Sequence, residues 1–192
     1  MGHIQTREPL TKCRHKAYTT GSTGSARDLV TLPLTGTIQW SADRLNLTSH
    51  FTLEEMTFSE IAAHLGVDNT PGPTAAANLR ILAASMEEIR ALLKNNPIVV
   101  HSAYRSIEVN TAVGGAATSA HCSGLACDFV CPAFGSAAEV AVAIAKSDVA
   151  YDQTILEYGW VHVGLASAGM TARREALTKR SPWATYELGI RV

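Results

Sequence analysis

Residues 119–131 read SAHCSGLACDFVC. One imidazole, His121, and one carboxylate, Asp128, stand seven positions apart, and Asp128 falls inside an apolar run that is typical of a buried strand. A carboxylate that leaves water without a partner costs free energy. The stretch therefore predicts that Asp128 meets a compensating group inside the fold.

A second apolar strand offers a further imidazole. Because side chains alternate along a strand, Asp128 shares its face with small or apolar neighbours, and the same rule places His162 in the middle of WVHVG (160–164). Gly124 permits the sharp turn that would bring His121 back toward Asp128. Two imidazoles and one carboxylate suit zinc and leave a fourth tetrahedral position open. Spacing alone leaves the alternative of hydrogen-bonded core histidines standing.

The chain from residue 49 onward begins with helix signals. Thr52 with Glu55 and Thr57 with Glu60 each match the T-x-x-E capping box, which predicts two short helices. Pro73 can begin a long helix in which apolar residues recur every three or four positions. The predicted core stripe of that helix is Leu79, Leu82, Met86, Ile89 and Leu93.

The second half predicts strands that alternate with helices. The predicted strands are IVVHSAY (98–104), GLACDFVC (124–131), QTILE (153–157) and WVHVGLA (160–166), and the predicted helices are SIEVNTAV (106–113) and SAAEVAVAIAKS (136–147). Tyr158-Gly159 would join the last two strands as a hairpin. We expect an α+β fold, with a small, mainly antiparallel sheet and helices packed on it.

Composition narrows the class of protein. The 192 residues are 46% hydrophobic and 17% charged, and the formal charge of −1 gives no reason to expect nucleic acid as a partner. A local basic cluster (Arg173, Arg174, Lys179, Arg180) is typical of a solvated face, with an anionic polymer as the alternative. No segment has the apolar run of a signal peptide or a membrane span, so we expect no membrane insertion.

The four cysteines, Cys13, Cys122, Cys127 and Cys131, are expected to be free thiols. The last three would be zinc thiolates only in an unfamiliar spacing. Residues 1–48 differ from the rest because Thr, Ser and Gly dominate YTTGSTGSARDL (18–29). We expect them to form an N-terminal extension that is partly ordered at best.

From His50 to about Gly189, the sequence resembles the zinc-dependent cell-wall peptidases related to D-alanyl-D-alanine carboxypeptidases and phage endolysins, which share a fold with the Hedgehog signalling domain. The matching pieces are HFTLEEMTFSEIAAHLGVDNTP (50–71), SAYRS (102–106), the pattern S-x-H-x-x-G-x-A-x-D as SAHCSGLACD (119–128), and DQTILEYGWVHVGLA (152–166). The resemblance implies Zn²⁺ bound by His121, Asp128 and His162. It makes residues 49–192 a zinc peptidase domain.

The remaining polar residues suggest catalytic roles. In a two-residue hairpin, Glu157 lies on the same sheet face as His162, as a diagonal neighbour at roughly 7–8 Å, which suits a catalytic base; the alternative is a solvent-exposed hairpin acid. Arg105 follows a strand end, and relatives carry the same Y-R-S segment. Its guanidinium would hold a carbonyl oxygen or a substrate carboxylate. Substrate-binding roles are expected for Ser102, Ser119 and Gln153.

The expected function is hydrolysis of peptide bonds in peptidoglycan stem peptides or cross-links, by a phage or prophage endolysin. The expected partner is a peptidoglycan peptide, and the expected oligomeric state is a monomer. We expect the protein to stay in the cytoplasm of the producing cell and to act on the cell wall after release. The alternative is a non-catalytic, zinc-containing module of the same fold, for cell-wall binding or phage assembly.

Overall fold

Six strands form one sheet in the part of the chain, residues 46–192, that the computed structural model describes. The strands are β1 Val99–Ser102, β2 Ala126–Val130, β3 Gln153–Leu156, β4 Val161–Gly164, β5 Glu175–Thr178 and β6 Glu187–Leu188, in the order β1-β2-β4-β3-β5-β6. All described pairings are antiparallel except β3 with β5. The predicted α+β class is confirmed.

Five helices and one 3₁₀ turn accompany the sheet in residues 46–192. The helices are α1 Leu53–Thr57, α2 Glu60–Leu65, α3 Pro73–Leu92, α4 Ile107–Ala112 and α5 Ala137–Lys146, and the 3₁₀ turn is Ala120–Ser123. Pro73 begins α3 as predicted, and Ser136 with Glu139 forms the reciprocal capping box of α5.

The predicted capping box at Thr57 and Glu60 is wrong. The hydroxyl of Ser59 caps α2 by accepting from the backbone N–H of Ala62, while the hydroxyl of Thr57 donates to the carbonyl of Leu53. Thr57 is the last residue of α1, so its side chain bonds back into that helix. Gly66 ends α2 with a left-handed conformation, as expected.

The core lies between one face of the sheet and the helices. The predicted stripe of α3 is fully buried, and Cys127 and Phe129 of β2 and Val161 and Val163 of β4 join it in one cluster. Alternation therefore sends Asp128 and His162 to the opposite sheet face. The core face fixes the register, because a slip by one residue would bury the polar side chains of β2 and β4 in it.

The sequence patterns predict no strand after residue 166, and there they miss β5 and β6. β5 pairs in parallel with β3, and β6 pairs with β5. The four residues EALT and the two residues EL are too short to show a period. Both strands form because the edge of β3 is free to pair with β5. This edge exists only in the folded sheet, so the local sequence does not indicate it.

The described fold includes three residues before the predicted domain start. Leu47 and Thr48 donate backbone hydrogen bonds to the carbonyl of Phe51, and Asn46 bridges to Thr52. The prediction for the rest of the extension, residues 1–45, lies outside the described residues. Within residues 46–192, no helix has the length and apolar character needed to cross a membrane.

Candidate metal centre

The 3₁₀ turn Ala120–Ser123 brings His121 into the site. Gly124 ends the turn at a φ of 70°, and a Cβ there would lie 2.6 Å from the carbonyl oxygen of Ala75, so only glycine fits. His121 is 3% exposed. Its Nδ1 lies 2.6 Å from the carbonyl oxygen of Ala103, which can only accept, so Nδ1 donates and Nε2 keeps its lone pair.

Asp128 and His162 are directly opposite each other on β2 and β4. Asp128 Oδ1 lies 2.8 Å from His162 Nδ1 and 3.2 Å from His121 Nε2, and the two imidazole nitrogens are 3.2 Å apart. One atom from each side chain thus lies within 4.8 Å of the other two. The structure brings together the three residues that the sequence predicts as ligands.

The chemistry of this group fits zinc. Two imidazole nitrogens and one carboxylate oxygen are a common protein ligand set for that ion. The hydrogen bond from His121 Nδ1 to the carbonyl of Ala103 fixes the tautomer that directs Nε2 at the site, as partners of metal-bound histidines usually do. Among the described residues, this is the one cluster of His, Cys, Asp and Glu side chains that could hold a metal ion.

Electrostatics favour the metal-binding forms of Asp128 and His121. Burial alone would raise the pKa of Asp128, but the neighbouring imidazoles of His121 and His162 outweigh it and hold that pKa well below its usual range. Burial lowers the pKa of His121, and attraction to Asp128 offsets only part of this. An ionised carboxylate and a neutral imidazole are the forms that bind zinc.

The side chain of Arg105 contacts that of Asp128 directly. Its guanidinium forms an ion pair with Asp128 Oδ2, and its Nε donates to Ser102 Oγ at 2.8 Å. Ser102 is the residue of β1 that pairs with Asp128 across the sheet. The buried carboxylate therefore has protein partners in addition to any metal. The expected contacts of Arg105 and Ser102 with substrate stay predictions.

Glu157 directly follows β3, where the hairpin to β4 begins. Its backbone N–H donates to the carbonyl of Trp160, and Ile155 is opposite His162, so Glu157 shares the sheet face of His162. Burial raises the pKa of Glu157, and the charge of Asp128 raises it further, against smaller effects of Lys179 and other cations. A half-buried carboxyl with a raised pKa, on the same sheet face as a candidate metal ligand, has the properties of a catalytic base.

The other predicted site residues, Gln153 and Ser119, form hydrogen bonds with neighbours outside the three candidate ligands. Gln153 pairs with Gly164 across β3 and β4, and its amide donates to Glu175 Oε2 at 2.7 Å. Ser119 precedes the 3₁₀ turn, and its carbonyl accepts from the N–H of Cys122. Their substrate-binding roles stay predictions.

The described cysteines agree with the expectation of free thiols, and the basic cluster agrees with that of a solvated face. Within the described residues, Cys122, Cys127 and Cys131 are free thiols, and none belongs to the metal-binding cluster. The side chain of Arg173 is paired with Asp152, and that of Arg180 with Glu187. These cations are therefore partly neutralised by carboxylates of the same chain.

Asn69 supports the site, although no sequence pattern indicates it. The Nδ2 of Asn69 donates to the carbonyl of Thr57 at 2.8 Å and, more weakly, to that of Tyr104, and its Oδ1 accepts from the N–H of Ser106 at 2.7 Å. Asn69 thus holds the segment that carries Arg105. Asn69 lies in the stretch DNTPGP (68–73), where an asparagine usually signals only a turn, so its long-range bonds leave no local pattern.

Comparison with known proteins agrees with this site. The family model described as Peptidase M15 matches residues 49–164, which include all three clustered side chains and both Arg105 and Glu157. No curated protein matches the chain. The match covers more than half of the 192 residues, and it includes every element that carries one of the three candidate metal ligands. The chain belongs to the peptidase M15 family, with His121, Asp128 and His162 as its candidate metal ligands.

Proposed function

We propose that the protein is a zinc-dependent peptidase that hydrolyses peptide bonds in the stem peptides or cross-links of peptidoglycan. The observation that carries the proposal is the convergence of His121 Nε2, His162 Nδ1 and Asp128 Oδ1 in a member of a peptidase family. Zinc held by these ligands would supply Lewis acidity toward the scissile carbonyl and would lower the pKa of the attacking water.

Glu157 is the proposed general base. Its carboxylate accepts the proton of the attacking water and returns it to the leaving amine. Burial and the charge of Asp128 raise the pKa of Glu157, which makes the carboxylate a stronger proton acceptor than an exposed glutamate. Its place on the face of His162 puts the base on the same side of the sheet as the metal ligands.

A peptide substrate would lie across the open face of the sheet. Gln153 is on that face, in the row of side chains next to His162, and its amide is held by Glu175. A fixed amide of this kind can bond to a peptide backbone without losing much conformational freedom. We propose Gln153 and Ser119 as substrate contacts on these grounds.

The test is digestion of purified peptidoglycan by wild-type protein, by Glu157→Gln and by Glu54→Gln. Glu157→Gln keeps size and hydrogen bonding but cannot accept a proton, so release of new amino groups should fall about 10²–10⁴-fold while zinc content stays at the wild-type level. Glu54 is an exposed residue of α1, and its variant controls for the loss of one carboxylate. Mass spectrometry of the released fragments identifies the bond.

Three outcomes would change the proposal. If zinc-loaded wild-type protein released no amino groups at any pH, a non-catalytic zinc module for wall binding or phage assembly would replace the peptidase. If Glu157→Gln kept near-normal turnover, another group would be the base. Loss of zinc in that variant would instead make Glu157 a ligand or a structural residue.

The biological setting we propose is that of a phage or prophage endolysin, made in the cytoplasm and active on the wall after release. The support is the resemblance of SAHCSGLACD and WVHVG to such enzymes. Purified protein added to permeabilised bacteria should lower their turbidity, and Glu157→Gln should not. Equal clearing by both proteins would contradict a lytic role based on hydrolysis.

A further inference from the structure

One short segment, residues 102–105, contacts two of the three candidate ligands. We propose that Ser102 and Arg105 act as a positioning pair for Asp128, which keeps one carboxylate oxygen, Oδ2, occupied so that Oδ1 alone faces the metal. The inference deepens the proposed function and rests on its metal site. It gives both residues the control of a ligand as a task beside the expected contact with substrate.

The carboxylate of Asp128 is divided between two sets of neighbours. Oδ1 lies within 3.2 Å of one nitrogen of each imidazole, whereas Oδ2 is paired with the guanidinium of Arg105. Coordination through both oxygens would require breaking this ion pair, in which a charged donor meets a charged acceptor. The pair therefore favours coordination through one oxygen and leaves a position open for water.

A β-bulge places Ser102 where it can hold Arg105. Val100 pairs with Phe129, so a regular ladder would put His101 opposite Asp128, but the register shifts and Ser102 takes that place. His101 is left exposed. The hydroxyl of Ser102 then accepts from Arg105 Nε at 2.8 Å, which fixes the plane of the guanidinium.

The same segment holds His121 through the backbone. The carbonyl of Ala103 accepts from His121 Nδ1 at 2.6 Å, and the N–H of Arg105 donates to the carbonyl of His121 at 3.2 Å. Asn69 braces the segment from the other side by bonding to Tyr104 and Ser106. The guanidinium thus extends from a backbone already fixed to another ligand, so little entropy is lost in placing it.

Burial also favours the positioning role. The side chain of Arg105 is 16% exposed, and its Nε and one terminal nitrogen are committed to Ser102 and Asp128. Partners that orient a ligand in this way usually change metal affinity about 10–100-fold when they are removed.

The experiment measures zinc affinity without substrate, by competition with a chromogenic chelator. Arg105→Lys keeps the charge but loses the planar fork, and Ser102→Ala keeps Arg105 but removes its acceptor. Each should weaken zinc binding about 10-fold or more, and Ser102→Thr should restore it. Arg80→Lys, at an exposed position of α3, is the matched control and should bind zinc like the wild type.

Two further readouts separate positioning from a general structural role. In the Arg105→Lys background, Ser102→Ala should have little additional effect, because Ser102 acts through Arg105. Visible absorption of the Co²⁺-loaded variants should weaken as Asp128 adopts two-oxygen coordination and the coordination number rises. Thermal unfolding of the metal-free variants checks that the fold persists.

Wild-type zinc affinity and an unchanged Co²⁺ spectrum in both variants, with only hydrolysis reduced, would overturn the inference and make Arg105 a substrate contact. Fully additive losses of affinity in the double variant would also overturn it. Failure of the wild-type protein to bind zinc would contradict the proposed function itself, so the two failures are distinguishable.

Discussion

At the scale of single residues, the site depends on how the carboxylate of Asp128 divides its contacts between the two imidazoles and the guanidinium of Arg105. Its carboxylate faces two imidazoles with one oxygen and a guanidinium with the other, while only a small part of its surface meets solvent. Removing the carboxylate therefore costs a ligand and leaves the buried cation Arg105 without its partner.

Asp128→Ala should lose most bound zinc and also destabilise the metal-free protein. Two imidazoles remain as ligands, and the unpaired guanidinium adds a cost of roughly 3–5 kcal/mol, the usual effect of breaking a buried ion pair. Elemental analysis and urea unfolding of the metal-free protein measure the two effects. Wild-type zinc content in this variant would remove Asp128 from the ligand set.

Zinc affinity should fall as the pH falls. A protonated imidazole cannot bind zinc, and burial lowers the pKa of His121, so this ligand stays neutral below the ordinary histidine value of about 6.5. Protons should therefore compete with zinc only in the acidic range, and the dissociation constant should rise there. Chelator competition at stepped pH gives the curve, and an affinity that increased on acidification would contradict it.

Alternation in β2 and β4 and the glycine after the turn act locally, so the sequence indicated that His121, Asp128 and His162 come together. That they bind zinc was implied only by the family resemblance. The ion pair between Arg105 and Asp128 could not be predicted from the sequence. It depends on a bulge in β1 and on a segment held by Asn69, neither of which leaves a periodic signal. The buried carboxylate only indicated that a partner was needed.

At the scale of elements, the 3₁₀ turn Ala120–Ser123 connects α3 to the site. Gly124 lies against the backbone of α3 with a positive φ, so the turn is set by close approach to that helix. The helices α1, α3 and α5 carry cap or proline signals and were predictable. The strands β5 and β6 could not be predicted, because these short segments become strands only by pairing with a sheet edge that is already formed.

Gly124→Ala should destabilise the fold and displace His121. The added Cβ would lie 2.6 Å from the carbonyl oxygen of Ala75 in a left-handed conformation, a strain of about 1–3 kcal/mol or more. Gly159→Ala is the control, since nothing lies within 4 Å of its Cβ position and its φ is not in that region. Urea midpoints that matched in the two variants would contradict this account of the turn.

At the scale of the whole molecule, the described sheet and helices contain the complete candidate site. All three candidate ligands, Glu157 and Arg105 lie within the family match at residues 49–164, and Leu47 packs on the core just before it. The described contacts of the site therefore all join residues within 46–192.

Removal of residues 1–45 should leave zinc binding and the fold intact. The remaining chain keeps the bridge from Asn46 to Thr52, the helices and the whole sheet. Circular dichroism and zinc analysis of the truncated protein provide the test. A truncated protein that was insoluble, or that could not hold zinc, would show that the extension is an integral part of the domain.

The most direct measurement is a zinc titration of metal-free wild-type protein acting on purified peptidoglycan, with released amino groups as the readout. The account predicts no release without metal, a linear increase with added zinc, and a plateau at about one zinc per chain, as expected for a single three-ligand catalytic site. Release that is unaffected by removal of metal, or no release with zinc fully bound, would contradict the assignment of a zinc peptidase.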